Sequence, residues 1–114
     1  MQYGFITLAA AIPETAVADT AHNGAQIVRL MKKAAASGAQ IVTFPELAVT
    51  GYTCGDLFLT DELIRDAEET LAQILAGTVG VPVVVLIGIP VIWHGKTYNG
   101  AAVCLNGRIL GVVP

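Results

Sequence analysis

This 114-residue sequence predicts an α/β fold with a mainly parallel sheet, in the order β-α-β-α-β-β-β. Three observations carry that expectation. Short apolar runs alternate with longer stretches whose apolar residues recur at helical spacing, and such alternation demands parallel strands joined by helices. A β-branched run, Val83-Val84-Val85, sits within the uncharged stretch from Thr70 to Gly95. Asn106-Gly107 separates two strand-like runs near the end, and Asn-Gly is the strongest short hairpin signal because both turn positions need positive φ.

The elements follow in order. Phe5 to Ile12 is short and apolar, reads as a buried strand, and ends at Pro13. Asp19 is placed to cap a helix in which Ile27, Val28, Met31, Ala34 and Ala35 share a face while Arg29, Lys32 and Lys33 point away. Gly38 is its stop. Ile41 to Phe44 is a second strand, halted by Pro45. Glu46 to Asp56 is a loop broken by Gly51 and Gly55. Thr60 caps a second helix with an apolar stripe of Leu63, Ile64, Ala67, Leu71, Ile74 and Leu75, ended by Gly77. Val83 to Ile89 is the third strand. Tyr98 to Leu105 and Arg108 to Val113 form the closing hairpin, with a turn at His94-Gly95-Lys96 before it. The helices cover one face of such a sheet and leave the other for something else.

Composition narrows the function. Apolar residues make up 54% of the chain and charged residues 13%, against about 45–50% and 25% in ordinary globular proteins. A chain of this size needs polar residues to cover its large relative surface. The shortage implies that one face is buried against a partner or against the rest of a larger body. The net charge is -3, and the six Lys and Arg are scattered apart from Lys32-Lys33, so nucleic acid is not an expected partner. Pro82, Pro90 and three glycines interrupt the apolar stretch from Thr70 to Gly95, which argues for a buried strand over a membrane span. Cys54 and Cys104 read as reduced thiols, the N-terminus lacks a signal-peptide pattern, and a cytoplasmic location is expected.

Open α/β sheets bind ligands at the carboxyl ends of their strands. Glu46 stands there, after the second strand, with no other charge from Phe44 to Val49. It is either an acid or base whose proton affinity burial would raise, or an ordinary solvated loop glutamate. His22 and His94 have no companion at metal-ligand spacing, and neither GxGxxG nor GxxxxGK[ST] occurs, so no metal or nucleotide site is expected in this chain. Cys54 has two acids near it in sequence, which works against a reactive thiolate. Cys104 reads as a small core residue.

Phe44-Pro45-Glu46-Leu47 followed by Thr50-Gly51-Tyr52 resembles the first signature of the nitrilase superfamily of carbon–nitrogen hydrolases. The continuation Cys54-Gly55-Asp56-Leu57-Phe58, with Ala11 to Glu14 and Val17 to Asp19 upstream, is similar to the glutaminase domains of glutamine-dependent NAD synthetases. The resemblance spans essentially the whole chain. It implies the N-terminal portion of a nitrilase-type αββα sandwich and a Glu-Lys-Cys triad. Carried over by position, Glu46 is the triad glutamate, a general base for the cysteine thiol. Tyr52 matches a tyrosine that helps shape the substrate pocket, and as a residue in its own right it is equally a packed loop aromatic.

The triad lysine of the family directly follows the strand after the Asn-Gly hairpin, where this sequence reaches Pro114. The cysteine lies further on. The chain is therefore expected to be residues 1–114 of a partial glutaminase domain, truncated before the triad Lys and Cys and inactive alone. The expected function is hydrolysis of glutamine to glutamate and ammonia for amidation of deamido-NAD. ATP and magnesium are implied only for an absent synthetase domain. The expected partners are the rest of the sandwich, that synthetase domain and further copies in a homo-oligomer. The alternatives are the start of a stand-alone amidase for another small amide, or a non-catalytic assembly fragment.

Overall fold

The computed structural model describes residues 4–114. The elements are β1 (Leu8–Ala10), α1 (Thr20–Ala36), β2 (Ile41–Thr43), a short 3-10 helix (Gly55–Leu59), α2 (Asp61–Thr78), β3 (Val84–Trp93), β4 (Lys96–Leu105) and β5 (Arg108–Val113). The five strands lie in the order β1-β2-β3-β4-β5, with β1, β2 and β3 parallel and the last two pairs antiparallel. The expected α/β class and element order hold.

Both helices start at the caps the sequence marks. Asp19 Oδ1 accepts the His22 N–H at 3.1 Å, and Thr60 Oγ1 accepts the Leu63 N–H at 3.3 Å. Each bond satisfies one of the first-turn amides that have no helical partner. Gly38, at φ +91°, takes the left-handed position past the end of α1. The expected end of α2 at Gly77 is wrong by one residue. Gly77 lies inside α2, and a Cβ there would stand 3.0 Å from the Val28 side chain. That glycine serves the packing of one helix on the other, as does Gly24, whose Cβ would lie 2.5 Å from Thr70 Cγ2.

The strand order advances without reversing from β1 to β3. Two right-handed crossovers in one direction put both helices on the same face. The core lies between them and the sheet: Ile27, Met31, Val42, Ile74, Val85, Ile87, Ala102 and Cys104 are fully buried. The opposite face, formed by Leu8, Ala10, Ile41, Thr43, Val84, Leu86, Ala101, Val103, Gly111 and Val113 in register, carries neither α1 nor α2. Leu8 there is 65% exposed and Val113 61%.

β2 stops one residue short of Phe44 and β4 starts at Lys96, two residues before Tyr98; two other strands differ more from expectation. The first is not a buried strand from Phe5 to Ile12; only Leu8–Ala10 pairs in register with β2, which itself offers just three residues. Ala9 and Ala11 pack on the core while Ile12 stays exposed. The third runs past Ile89 to Trp93, through Pro90. The Leu86 and Gly88 carbonyls point to the β2 side, where they accept the Phe44 and Val49 amides. By strand alternation the missing N–H of Pro90 falls on that same side, beyond the end of β2, so no ladder bond is lost. Both hairpin turns use consecutive positive-φ residues, His94-Gly95 and Asn106-Gly107. The second turn is tied to α2, since Thr78 Oγ1 accepts the Gly107 N–H at 2.7 Å and Asn106 Oδ1 accepts the Gly80 N–H at 2.9 Å.

Candidate active site

Glu46 stands three residues beyond Thr43, the last residue of β2, at the carboxyl edge of the parallel strands. The chain must turn sharply here, because β2 ends at Thr43, Pro45 cannot extend its ladder, and the next segment folds back over β3. The turn is closed by the Ala48 N–H on the Pro45 carbonyl, the Thr50 and Gly51 N–H groups on the Leu47 carbonyl, and the Val49 N–H on the Gly88 carbonyl. Leu47, next to Glu46, is left-handed at φ 54° although it carries a side chain. That backbone costs about 1–2 kcal/mol, and residues held this way concentrate at functional sites. Burial of Leu47 and the bonds to its carbonyl hold it there.

The turn lies directly on β3, and Gly88 permits it. A Cβ at Gly88 would stand 2.4 Å from Leu47 N and from the Pro45 carbonyl oxygen, and 2.9 Å from Glu46 C. All three are backbone atoms. A glycine within a β-branched strand often marks the close approach of another backbone, which is the signal the sequence carried for Gly88. Since Val85, Ile87 and Ile89 face the helices, Gly88 faces the bare side of the sheet, and so does the turn over it.

Behind the turn, Asn23 of α1 is fully buried and fully bonded. Its Nδ2 donates to the Ala16 carbonyl at 2.8 Å and the Val49 carbonyl at 3.0 Å, and its Oδ1 accepts the Ala16 N–H at 2.8 Å. It therefore binds the segment after β1 and the turn after β2 to one helix. A buried polar residue in an amphipathic helix was the sequence signal for this hub.

The Glu46 side chain is exposed, so of the two environments its position left open it has the solvated one. Its Oε1 accepts a hydrogen bond from Asn99 Nδ2, across 53 residues of sequence. Asn99 is on β4, paired with Pro90, and so on the same bare face. Beside them lies a recess of about 120 Å³ lined by Leu47, Phe58, Pro90, Thr97, Tyr98 and Asn99. A larger cavity of about 560 Å³ sits on the helix-bearing face, between Leu71 of α2 and Val91, Trp93 and Val112 of the sheet. It holds one ionisable side chain, Glu68, and none of the residues of the Glu46 turn lines it. Chemistry, not size, identifies the site.

Tyr52 follows Gly51, which takes φ 87°, and its ring is 66% exposed. Among the described residues no hydrogen bond joins Tyr52 to Glu46. The Cys54 thiol is buried and donates to the Thr50 carbonyl at 3.2 Å and the Gly51 carbonyl at 3.5 Å. A thiol committed to two backbone acceptors staples its loop. Cys104 is a core residue on the helix-bearing face, and burial pushes its thiol above the ordinary range. Lys32 and Lys33 lie exposed on α1, across the sheet from Glu46, and Lys96 opens β4 opposite Trp93. His22 is in the first turn of α1 and His94 in a hairpin turn. Among the described residues no group of three or more His, Cys, Asp or Glu side chains could hold a metal, and no helix is long and apolar enough to cross a membrane. What the arrangement offers is one carboxylate, with one oxygen engaged and the other free to accept a proton.

Comparison with known proteins places the whole chain in a family. The carbon–nitrogen hydrolase family model matches residues 7–112. The chain is 33% identical over 113 residues to the glutamine-dependent NAD(+) synthetase of Mycobacterium tuberculosis, covering 99% of this chain and 17% of that protein. It is 38% identical over 96 residues to the corresponding synthetase of Arabidopsis thaliana, covering 84% of this chain and 13% of that one. The chain thus spans 13% to 17% of the length of these curated relatives. The crystal structure of a glutamine-dependent NAD(+) synthetase from Cytophaga hutchinsonii superimposes with a TM-score of 0.86 at 32% identity, over 94% of this chain and 18% of that one. A variant of the amidase from Nesterenkonia sp. AN1, with acrylamide added at its active-site cysteine, gives 0.74 at 18% identity over 95% of this chain and 43% of that one, a likeness of fold.

Proposed function

The chain belongs to the carbon–nitrogen hydrolase family, and on that premise we propose that residues 1–114 are the opening part of the glutaminase domain of a glutamine-dependent NAD synthetase. The observation that carries the reading is the placement of Glu46: at the carboxyl edge of β2, on a turn seated against Gly88, with one carboxylate oxygen free. Kinship with the synthetases of Mycobacterium tuberculosis and Cytophaga hutchinsonii supports the substrate assignment.

In this reading Glu46 is the general base. It takes the proton of a cysteine thiol supplied by residues outside 1–114, since the thiolate is the reactive form. The sulfur attacks the side-chain amide carbon of glutamine, the C–N bond breaks, and the proton held by Glu46 leaves with the amine as ammonia. Water then attacks the thioester, giving its proton to Glu46. Glutamate departs, and the proton returns to the sulfur. Tyr52 helps to shape the glutamine pocket once the remaining wall covers it. The triad lysine also lies outside 1–114, so the 114 residues alone release no ammonia. The ammonia would pass to a synthetase domain outside these residues, and ATP with magnesium would supply the activation of deamido-NAD there; no residue of 1–114 takes part in that step. The intact protein is cytoplasmic and homo-oligomeric.

The test uses the polypeptide encoded when the reading frame is followed past the Pro114 codon. A lysine codon next, with a cysteine codon and an ATP-binding domain downstream, is expected. In that protein Glu46→Gln should cut glutamine-dependent NAD synthesis by about 100-fold or more, as expected for loss of a general base, and leave ammonia-dependent synthesis intact. Full glutamine-dependent activity in Glu46→Gln overturns the assignment. Ammonia release from other amides but not from glutamine would replace the substrate.

A further inference from the structure

We propose that Asn99 is a positioning residue, which decides the oxygen through which Glu46 works; the proposal rests on the reading of Glu46 as general base. The Asn99 side chain donates through Nδ2 to Oε1 of Glu46. The opposite amide orientation would set Oδ1 against a carboxylate oxygen, two acceptors with no proton between them, so the donor assignment follows from the chemistry. Glu46 is exposed and has no other side-chain hydrogen bond among the described residues. Left alone, its carboxylate would sample several rotamers. The Asn99 bond selects one of them and uses up Oε1, so Oε2 is the oxygen turned to the incoming thiol.

The anchor itself is firm. Asn99 lies within the β3–β4 ladder opposite Pro90, whose ring restricts the backbone at that point. The next residue, Gly100, is buried where a Cβ would lie 3.0 Å from Val91 Cγ2 and 3.2 Å from the Val113 carbonyl oxygen. Glu46 is thus fixed from two strands: its backbone by Gly88 of β3, its side chain by Asn99 of β4. The turn supplies the carboxylate, and the hairpin supplies its direction.

The experiment is a double-mutant cycle in the intact glutamine-dependent enzyme, read as kcat and KM for glutamine, with ammonia-dependent synthesis as the measure of an intact fold. Asn99→Ala should lower kcat about 10- to 100-fold, the scale of a misplaced reacting group, with KM changed less than about 2-fold, the signature of an interaction that acts in the transition state. Asn99→Asp keeps the shape, removes the donor and sets a second carboxylate beside Glu46, so its kcat should fall at least as far. In the Glu46→Gln background Asn99→Ala should cost nothing further, because a residue acting only through Glu46 has nothing left to act on. Full kcat in both Asn99 variants overturns the proposal, as does an additional loss in the Glu46→Gln background. If Glu46→Gln itself keeps full glutaminase activity, the general-base reading falls first and the role of Asn99 falls with it. If Asn99→Ala does not fold, Asn99→Asp decides.

Discussion

The two faces of this one sheet have opposite fates. On one, Ile27, Met31 and Ile74 of the helices interlock with Val42, Val85 and Ile87 of the strands, all fully buried. On the other, Leu8 and Val113 remain mostly exposed although their neighbours are apolar. The first face is completed by sequence close at hand, since each crossover between parallel strands delivers its own helix. The second is left largely open among the described residues, covered where the Glu46 turn lies over Gly88 and where Phe58 approaches Pro90 and Asn99. The candidate chemistry therefore sits on the unfinished face, and the finished one is its foundation.

That contrast can be broken from either side. Ile74→Ala, on the finished face, should lower stability by about 2–5 kcal/mol, the usual cost of such a cavity, seen as a lower urea midpoint with an unchanged slope. A loss below about 1 kcal/mol would mean that the helices are held less by this core than by contacts elsewhere. Gly88→Ala acts where the Glu46 turn covers the bare face. The new methyl meets backbone only, so the turn must move; a loss of about 1–3 kcal/mol is expected from overpacking, with glutamine-dependent activity of the intact protein down by about 100-fold. Unchanged activity would mean that the turn can lift without disturbing Glu46. Leu8→Lys, on the open face, should stay within about 0.5 kcal/mol in the 114-residue chain, as for ordinary surface changes, while reducing binding of a hydrophobic dye. In a longer polypeptide whose further residues cover this face, the same lysine should become strongly destabilising. Equal effects in the two would remove the distinction between the faces.

Much of the finished face was legible. The caps Asp19 and Thr60, the helical stripes and the Asn106-Gly107 turn are local signals, and each appears where the residues place it. The limits of the strands were harder to read because pairing sets them. β1 and β2 pair over only three residues each, and Pro90 continues a strand because its blank side meets no neighbour. Glu46 was found from its place after the second strand and from the motif around it. Asn99 was not, because the bond that singles it out joins positions 53 apart and exists only once the hairpin has formed. Gly88 was read only as an interruption to a membrane span, although a lone glycine among β-branched residues also signals a backbone lying close by. Asn23 escaped for a related reason: its partners come from two segments that meet only in three dimensions.

The strand order has a consequence for biosynthesis. Every strand pairs with the one made just before it, β1 with β2 through to β4 with β5. A nascent chain emerging at about 5–20 residues per second can add each strand to a template already outside the ribosome, with no earlier edge held in reserve for a late arrival. Such nearest-neighbour pairing keeps loop closures short and favours fast folding. It also means that the helix-bearing half is finished early and the greasy half waits. While that face is open, the exposed Leu8 and Val113 side chains of the sheet are natural targets of a holding chaperone.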